Sequence, residues 1–137
     1  MMKKEAMCIM LVDDNKDDNF FHEREIKKAN LETAVIVKES GTDALEYLHS
    51  MIETSNTKPT LIFLDINMPG MNGWEFLDEY SKLDKIIQSG MIIVMLTTSD
   101  NPETQARAMS WSSVSEYITK PLTKERMKDV NDKYFKS

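Results

Sequence analysis

Five apolar runs punctuate the chain, at residues 7–12, 34–37, 61–64, 91–96 and 117–118. At least three of them are continuous rather than alternating, the pattern of strands covered on both faces. Amphipathic stretches lie between them. Ala44, Leu45, Leu48, Met51 and Ile52 follow helical spacing and give one apolar stripe. Asn101-Pro102 supplies a cap followed by proline at the first helical position, and Thr123 caps a last helix whose Met127, Val130 and Tyr134 share a face. The weakest pattern is the first helix, residues 16–29, with Phe21, Ile26 and Ala29, and His22 beside them, as its inward side. Strand and helix alternating five times predict an α/β fold: a doubly wound, five-stranded parallel sheet with helices on both faces. Right-handed crossovers then bring the C-terminal ends of the strands to one edge, where such folds build their sites.

Bulk properties narrow the function. A chain of 137 residues is expected to form a single domain, residues 1–137 with a core of about 6–136. After Phe135 only Lys136 and Ser137 remain, so no output domain is expected. A net charge of −6 with scattered basic residues argues against direct nucleic-acid binding, which demands a basic face. Cys8 is the only cysteine, sits in an apolar run and reads as a small buried hydrophobe. Met1-Met2-Lys3-Lys4 resembles the start of a secretory signal, but the apolar run that follows is short and ends in Asp13-Asp14. No stretch reaches membrane-spanning length. The expected location is the cytoplasm, without membrane insertion.

The strand ends carry the chemistry. The first run ends in Asp13-Asp14, the third in Asp65, the fourth in Thr97-Thr98-Ser99 and the fifth in Lys120-Pro121. In a parallel sheet these residues meet in one crevice. Three carboxylates there repel one another, so the arrangement calls for a cation, and at least one carboxyl pKa should rise without it. Mg²⁺ suits an all-oxygen site that also accepts a phosphate. Lys120 adds a compact positive charge, and the Thr97 hydroxyl can donate to a phosphoryl oxygen. Taken singly, each piece has a plainer reading: Asp13-Asp14-Asn15 as a turn or helix cap, Asp65 as the start of a turn. The agreement of several strand ends favours metal and phosphate.

Four segments resemble the receiver domain of two-component response regulators over nearly the whole chain. They are Leu11-Val12-Asp13-Asp14-Asn15, Leu64-Asp65-Ile66-Asn67-Met68-Pro69-Gly70-Met71-Asn72-Gly73, Leu96-Thr97 and Tyr117-Ile118-Thr119-Lys120-Pro121. The resemblance implies the strand order 2-1-3-4-5. It implies Asp65 as the phosphoacceptor, Asp14 as a direct Mg²⁺ ligand, Asp13 as a looser one, and the Asn67 backbone carbonyl as a further ligand. It implies Thr97 and Lys120 as groups meeting the phosphoryl, Thr97 and Tyr117 as a coupled switch, and a cis Lys120-Pro121 peptide. The expected partners are a sensor histidine kinase or histidine phosphotransfer protein and an unidentified downstream protein. An enzyme with separate substrate turnover is not expected.

The chain departs from the family at two places. Thr98 stands where Ala or Gly is usual and should narrow access to the pocket. Ser112-Ser113-Val114 replaces an Ala-Gly-Ala pattern, so if Ser113 took a left-handed cap it would cost about 1 kcal/mol, and the helix before it should end differently or fray. Two other functions compete. A haloacid-dehalogenase-type phosphatase wants a second acid two residues after its nucleophile, where this chain has Asn67. A degenerate receiver acting only as a binding module would have lost an acid, the threonine or the lysine. Trp74 reads as packing or shielding near the site, and Trp111 is open between packing and a partner anchor. His22 and His49 lack companions for a metal site.

Overall fold

The computed structural model describes residues 8–30, 32–51 and 58–135. Five strands, β1 (Cys8–Val12), β2 (Ala34–Lys38), β3 (Leu61–Leu64), β4 (Ile92–Thr97) and β5 (Val114–Thr119), form one parallel sheet in the order β2-β1-β3-β4-β5. The helices are α1 (Lys16–Ala29), α2 (Gly41–Ser50), α3 (Gly73–Ser81), α4 (Lys85–Gln88), α5 (Pro102–Met109) and α6 (Lys124–Tyr134). The fold class and strand order expected from the sequence are both present. α4, a single turn capped by Asp84, is an element the sequence pattern did not separate.

The continuous apolar runs are explained by burial on two faces. Along β1, Met10 and Val12 join the cluster under α2 and α3, with Leu48, Phe76, Leu77 and Tyr80. Ile9 and Leu11 join the opposite cluster, with Ile26 of α1 and Met127 and Val130 of α6. Successive residues of β3 and β4 divide in the same way, as the two-residue period of a strand requires. Fully burying one such side chain is worth roughly 1.5–3 kcal/mol. β2 and β5 lie at the sheet edges and are only half-buried, which shortened the apolar signal of β5 to residues 117–118.

Local signals set the helix ends. Asn101 caps α5 with Pro102 in its first turn, and Thr123 caps α6 by accepting from the Arg126 N–H. Asn72 and Glu75 form a reciprocal capping box at α3. α1 occupies the expected residues, but its inward face differs from the apolar expectation. Phe21 is 41% exposed, and the buried side chains are Asn19, His22, Glu25 and Ile26. Two of these polar groups have work on that face. Asn19 donates to the Asp13 carbonyl, and Glu25 accepts from the Lys124 N–H at the start of α6. Ser113 needs no left-handed cap: α5 stops at Met109, Ser110 stays right-handed, and among the described residues only Gly70 and Gly90 have positive φ. Met7 and Ile52 lie outside the described residues.

Candidate functional site

The strand order reverses between β1 and β3. From β1 the chain passes through α1 to β2 on one side, and the later strands build outward on the other. A crevice at the strand C-termini is the geometric consequence. The ladder continues just past the strands: Asp13 N–H donates to Lys38, Asp65 N–H to Val12, and Lys120 N–H to Thr97, at 3.0, 3.0 and 2.8 Å. These three bonds fix the backbones from which the acidic and basic side chains enter the crevice. The Lys120-Pro121 peptide is cis, as expected.

Asp13, Asp14 and Asp65 each bring a carboxylate oxygen within 4.8 Å of the others. Asp13 and Asp65 are buried, and Asp14 is exposed at the mouth. Asp13 is held at both ends: one oxygen accepts from the Asn15 N–H at 3.0 Å and the other from Lys120 Nζ at 2.7 Å. Lys120 Nζ also donates to Asp18 Oδ2 at 2.8 Å and stands 3.9 Å from Asp65 Oδ2. Burial by itself would lower the Lys120 pKa, but the hydrogen bonds to Asp13 and Asp18 and the nearby carboxylate charges more than offset it and raise it. Asp65 is pushed from an ordinary 3.8 to about 6, first by burial and second by the charge of Asp13, against the opposing pull of Lys120 and of the Ile66 and Asn67 N–H groups. The expected rise of one carboxyl pKa therefore falls on Asp65, with burial ahead of crowding as its cause.

Around this centre, Asn67 and Thr98 line the crevice together with Asp17 and Asp18 of α1. Thr98 is exposed among the residues that line the crevice. Thr97 is fully buried, and its Oγ1 has no hydrogen-bond partner. Tyr117, half-buried on β5, donates from its hydroxyl to the Ser99 carbonyl at 2.6 Å. Sequence spacing gives no role to Asp18, and Gly73 enters only as the last residue of a motif. Asp18 is also an acidic first-turn residue of α1, a placement with its own explanation in the helix dipole. Gly73 opens α3 directly against the Asp65–Ile66 backbone. A Cβ there would lie 2.8 Å from both the Asp65 carbonyl oxygen and the Ile66 Cα, so only glycine fits. Its N–H donates to the Ile66 carbonyl at 2.8 Å.

Trp74 and Trp111 are both half-buried and pack against the core cluster of that face. The Arg107 guanidinium lies 4.2 Å over the Trp74 ring. His22 is buried beneath the crevice, where loss of hydration lowers its pKa below the ordinary imidazole value.

The donor set fits a hard divalent cation, because it consists of carboxylate oxygens with a lysine to balance added phosphate charge. The unpartnered Thr97 hydroxyl fits an additional acceptor at the same edge. Fold and crevice together define a doubly wound α/β domain with a cation-competent acidic pocket at its switch point. The chain belongs to the response regulator receiver domain family, whose sequence pattern matches residues 9–131. Domains of this family are signalling phosphoacceptors that work with histidine kinases. The chain is similar to response regulator Rcp1 of Synechocystis, with 32% identity over 113 residues covering 82% of this chain and 75% of that protein. Its structure is similar to that of a two-component response regulator from Cytophaga hutchinsonii, with a TM-score of 0.85 at 28% identity over 96% and 98% of the two chains. It is also similar to the Mn²⁺-bound form of response regulator Rcp1, with a TM-score of 0.66 at 28% identity over 92% and 90% of the chains. Among the described residues no helix is long and apolar enough to cross a membrane.

Proposed function

We propose that this chain, as one receiver unit over residues 1–137, is a phosphoacceptor switch of a two-component or phosphorelay system, with Asp65 as the phosphorylated residue. The observation that carries the reading is the position of Asp65: a buried carboxylate within 4.8 Å of two others and 3.9 Å from Lys120. The donor is a phosphohistidine on a sensor kinase or histidine phosphotransfer protein. An Asp65 oxygen attacks phosphorus, the phosphorus–nitrogen bond breaks, and the leaving imidazole keeps the electron pair and takes a proton. Lys120 and the Thr97 hydroxyl meet the charge on the transferred phosphoryl oxygens. Asp13, Asp14, Asp65 and the Asn67 carbonyl would hold Mg²⁺, which would supply charge neutralisation during transfer, and the Mn²⁺ form of the similar Rcp1 supports a divalent ion there. Water later cleaves the acyl phosphate and restores the carboxylate.

Thr97 turning toward the phosphoryl breaks the balance at Tyr117 and the Ser99 loop, which alters the surface that a downstream protein reads. The work is cytoplasmic, without contact to nucleic acid and without separate substrate turnover. The test is incubation with acetyl phosphate and Mg²⁺, read by intact mass. One added phosphoryl group that is lost in Asp65→Asn is the expected result. Steady release of phosphate from phosphomonoesters, or no mass gain at all, would reject the reading.

A further inference from the structure

Lys120 carries three N–H donors. Two are committed in the structure, to Asp13 at 2.7 Å and to Asp18 at 2.8 Å. Asp65, at 3.9 Å, is beyond hydrogen-bond reach. The ammonium is therefore held back from the nucleophile by two carboxylates of different kinds. Asp13 belongs to the trio that can hold a cation, so a divalent ion there draws on the same carboxylate that Lys120 uses. Asp18 lies outside that trio. It is fixed in the first turn of α1 through its own N–H, which Asn15 caps at 2.9 Å, and its side chain is 35% exposed against 10% for Lys120.

Resting on the phosphoacceptor reading of this site, we infer that Asp18 is the positioning residue for Lys120. Its carboxylate keeps the ammonium beside Asp65 rather than on it. That leaves an Asp65 oxygen free to attack and the third N–H free for an oxygen added there. It also retains Lys120 when a cation engages Asp13. Without Asp18 the ammonium has Asp13 and Asp65 as its remaining carboxylate neighbours. It moves onto the nucleophile, and the reacting lone pair is then occupied.

The test compares wild type, Asp18→Asn, Asp18→Glu, Lys120→Gln and the Asp18→Asn/Lys120→Gln pair. The first readout is the rate of phosphoryl gain from acetyl phosphate with Mg²⁺. Asp18→Asn should be slower by about tenfold, as expected for a misplaced charge at a reacting group. Asp18→Glu should recover most of that loss, since the exposed first turn leaves room for a longer side chain. In the Lys120→Gln background, adding Asp18→Asn should change the rate by less than about twofold, because the two act as one unit. Binding of Mg²⁺ alone should change by less than about fivefold in Asp18→Asn, a screened through-space effect rather than a lost ligand. The second readout needs neither metal nor phosphate. Proton exchange of the Lys120 ammonium with water, followed by NMR in EDTA, should accelerate severalfold in Asp18→Asn.

Wild-type phosphorylation rates in Asp18→Asn would overturn the inference, as would an undiminished Asp18→Asn effect without Lys120 or an unchanged ammonium exchange rate. A wild-type chain that never gains a phosphoryl group would instead reject the proposed function, and the inference with it.

Discussion

Replacing Asp65 by asparagine in metal-free protein should make the fold more stable at pH 8, and the gain should disappear toward pH 4. The carboxyl titrates at about 6 in the folded protein against an ordinary 3.8. The folded state thus holds this proton more tightly than the unfolded chain. Its contribution to stability is fully present below the unfolded value and is lost as pH rises through about 6. The difference between those two values amounts to about 3 kcal/mol at pH 8, roughly half that at pH 5 and well under about 1 kcal/mol at pH 4. Asparagine is a neutral replacement of the same shape and carries none of this penalty. For a domain of this size the pH 8 gap corresponds to a rise in Tm of roughly 10 °C. Asp65 is preferable to Asp13 for the experiment. Removing the Asp13 charge would leave Lys120 without its shortest partner, at 2.7 Å. The assay is thermal and urea unfolding of both proteins in EDTA across pH 4–8, repeated with saturating Mg²⁺. The metal should narrow the gap, because it stabilises the wild-type native state by binding it. A mutant that melts no higher than wild type at pH 8 in EDTA, or a gap independent of pH, would refute the electrostatic account of the pocket.

Asp14→Ala should weaken Mg²⁺ binding and phosphorylation far more than Asp13→Ala, and equal losses in a metal titration would reject the assigned roles. Gly73→Ala forces backbone apart at two 2.8 Å contacts and should destabilise by about 1–3 kcal/mol in urea unfolding, with slower phosphorylation of Asp65. Thr97→Ala should still accept a phosphoryl group on Asp65 yet fail to change partner affinity, which binding assays with and without beryllofluoride would show. Phe76→Ala, at a fully buried position, should cost about 3–5 kcal/mol without altering the Mg²⁺ affinity of the native protein.

How much of this was legible beforehand depended on whether burial or chemistry chose the residue. β1, β3 and β4 are covered on both faces, so their sequences are apolar throughout and their ends could be placed to within a residue. β5 was recognised only at Tyr117 and Ile118, because Ser115 and Glu116 are half-exposed at the sheet edge and interrupt the pattern. α1 misled for the opposite reason. Its inner face is polar where Asn19 and Glu25 satisfy backbone groups of neighbouring segments, while Phe20 and Phe21 point outward. Asp13, Asp14, Asp65 and Lys120 were legible as a group because they follow strands, as was Thr97, which ends one. Asp18 was not, since an acid in the first turn of a helix has a sufficient local explanation in the helix dipole. Gly73 was visible only as part of a motif. Nothing in sequence spacing reveals that a backbone lies where its side chain would be.

The contact at Gly73 also decides how movement can leave the crevice. With no side chain between them, the first residue of α3 and the Asp65 carbonyl are in direct contact and joined through the Gly73–Ile66 hydrogen bond. A shift of α3 along this contact would meet the Asp65–Ile66 backbone directly, so the two segments are closely coupled. The segment after β4 is tied differently, through one side-chain bond from Tyr117 to Ser99. Among the described residues the acidic crevice therefore has a close backbone connection on one side and a side-chain tether on the other. A small displacement at Asp65 would be carried along the first as a rigid tilt and along the second as a change of loop shape.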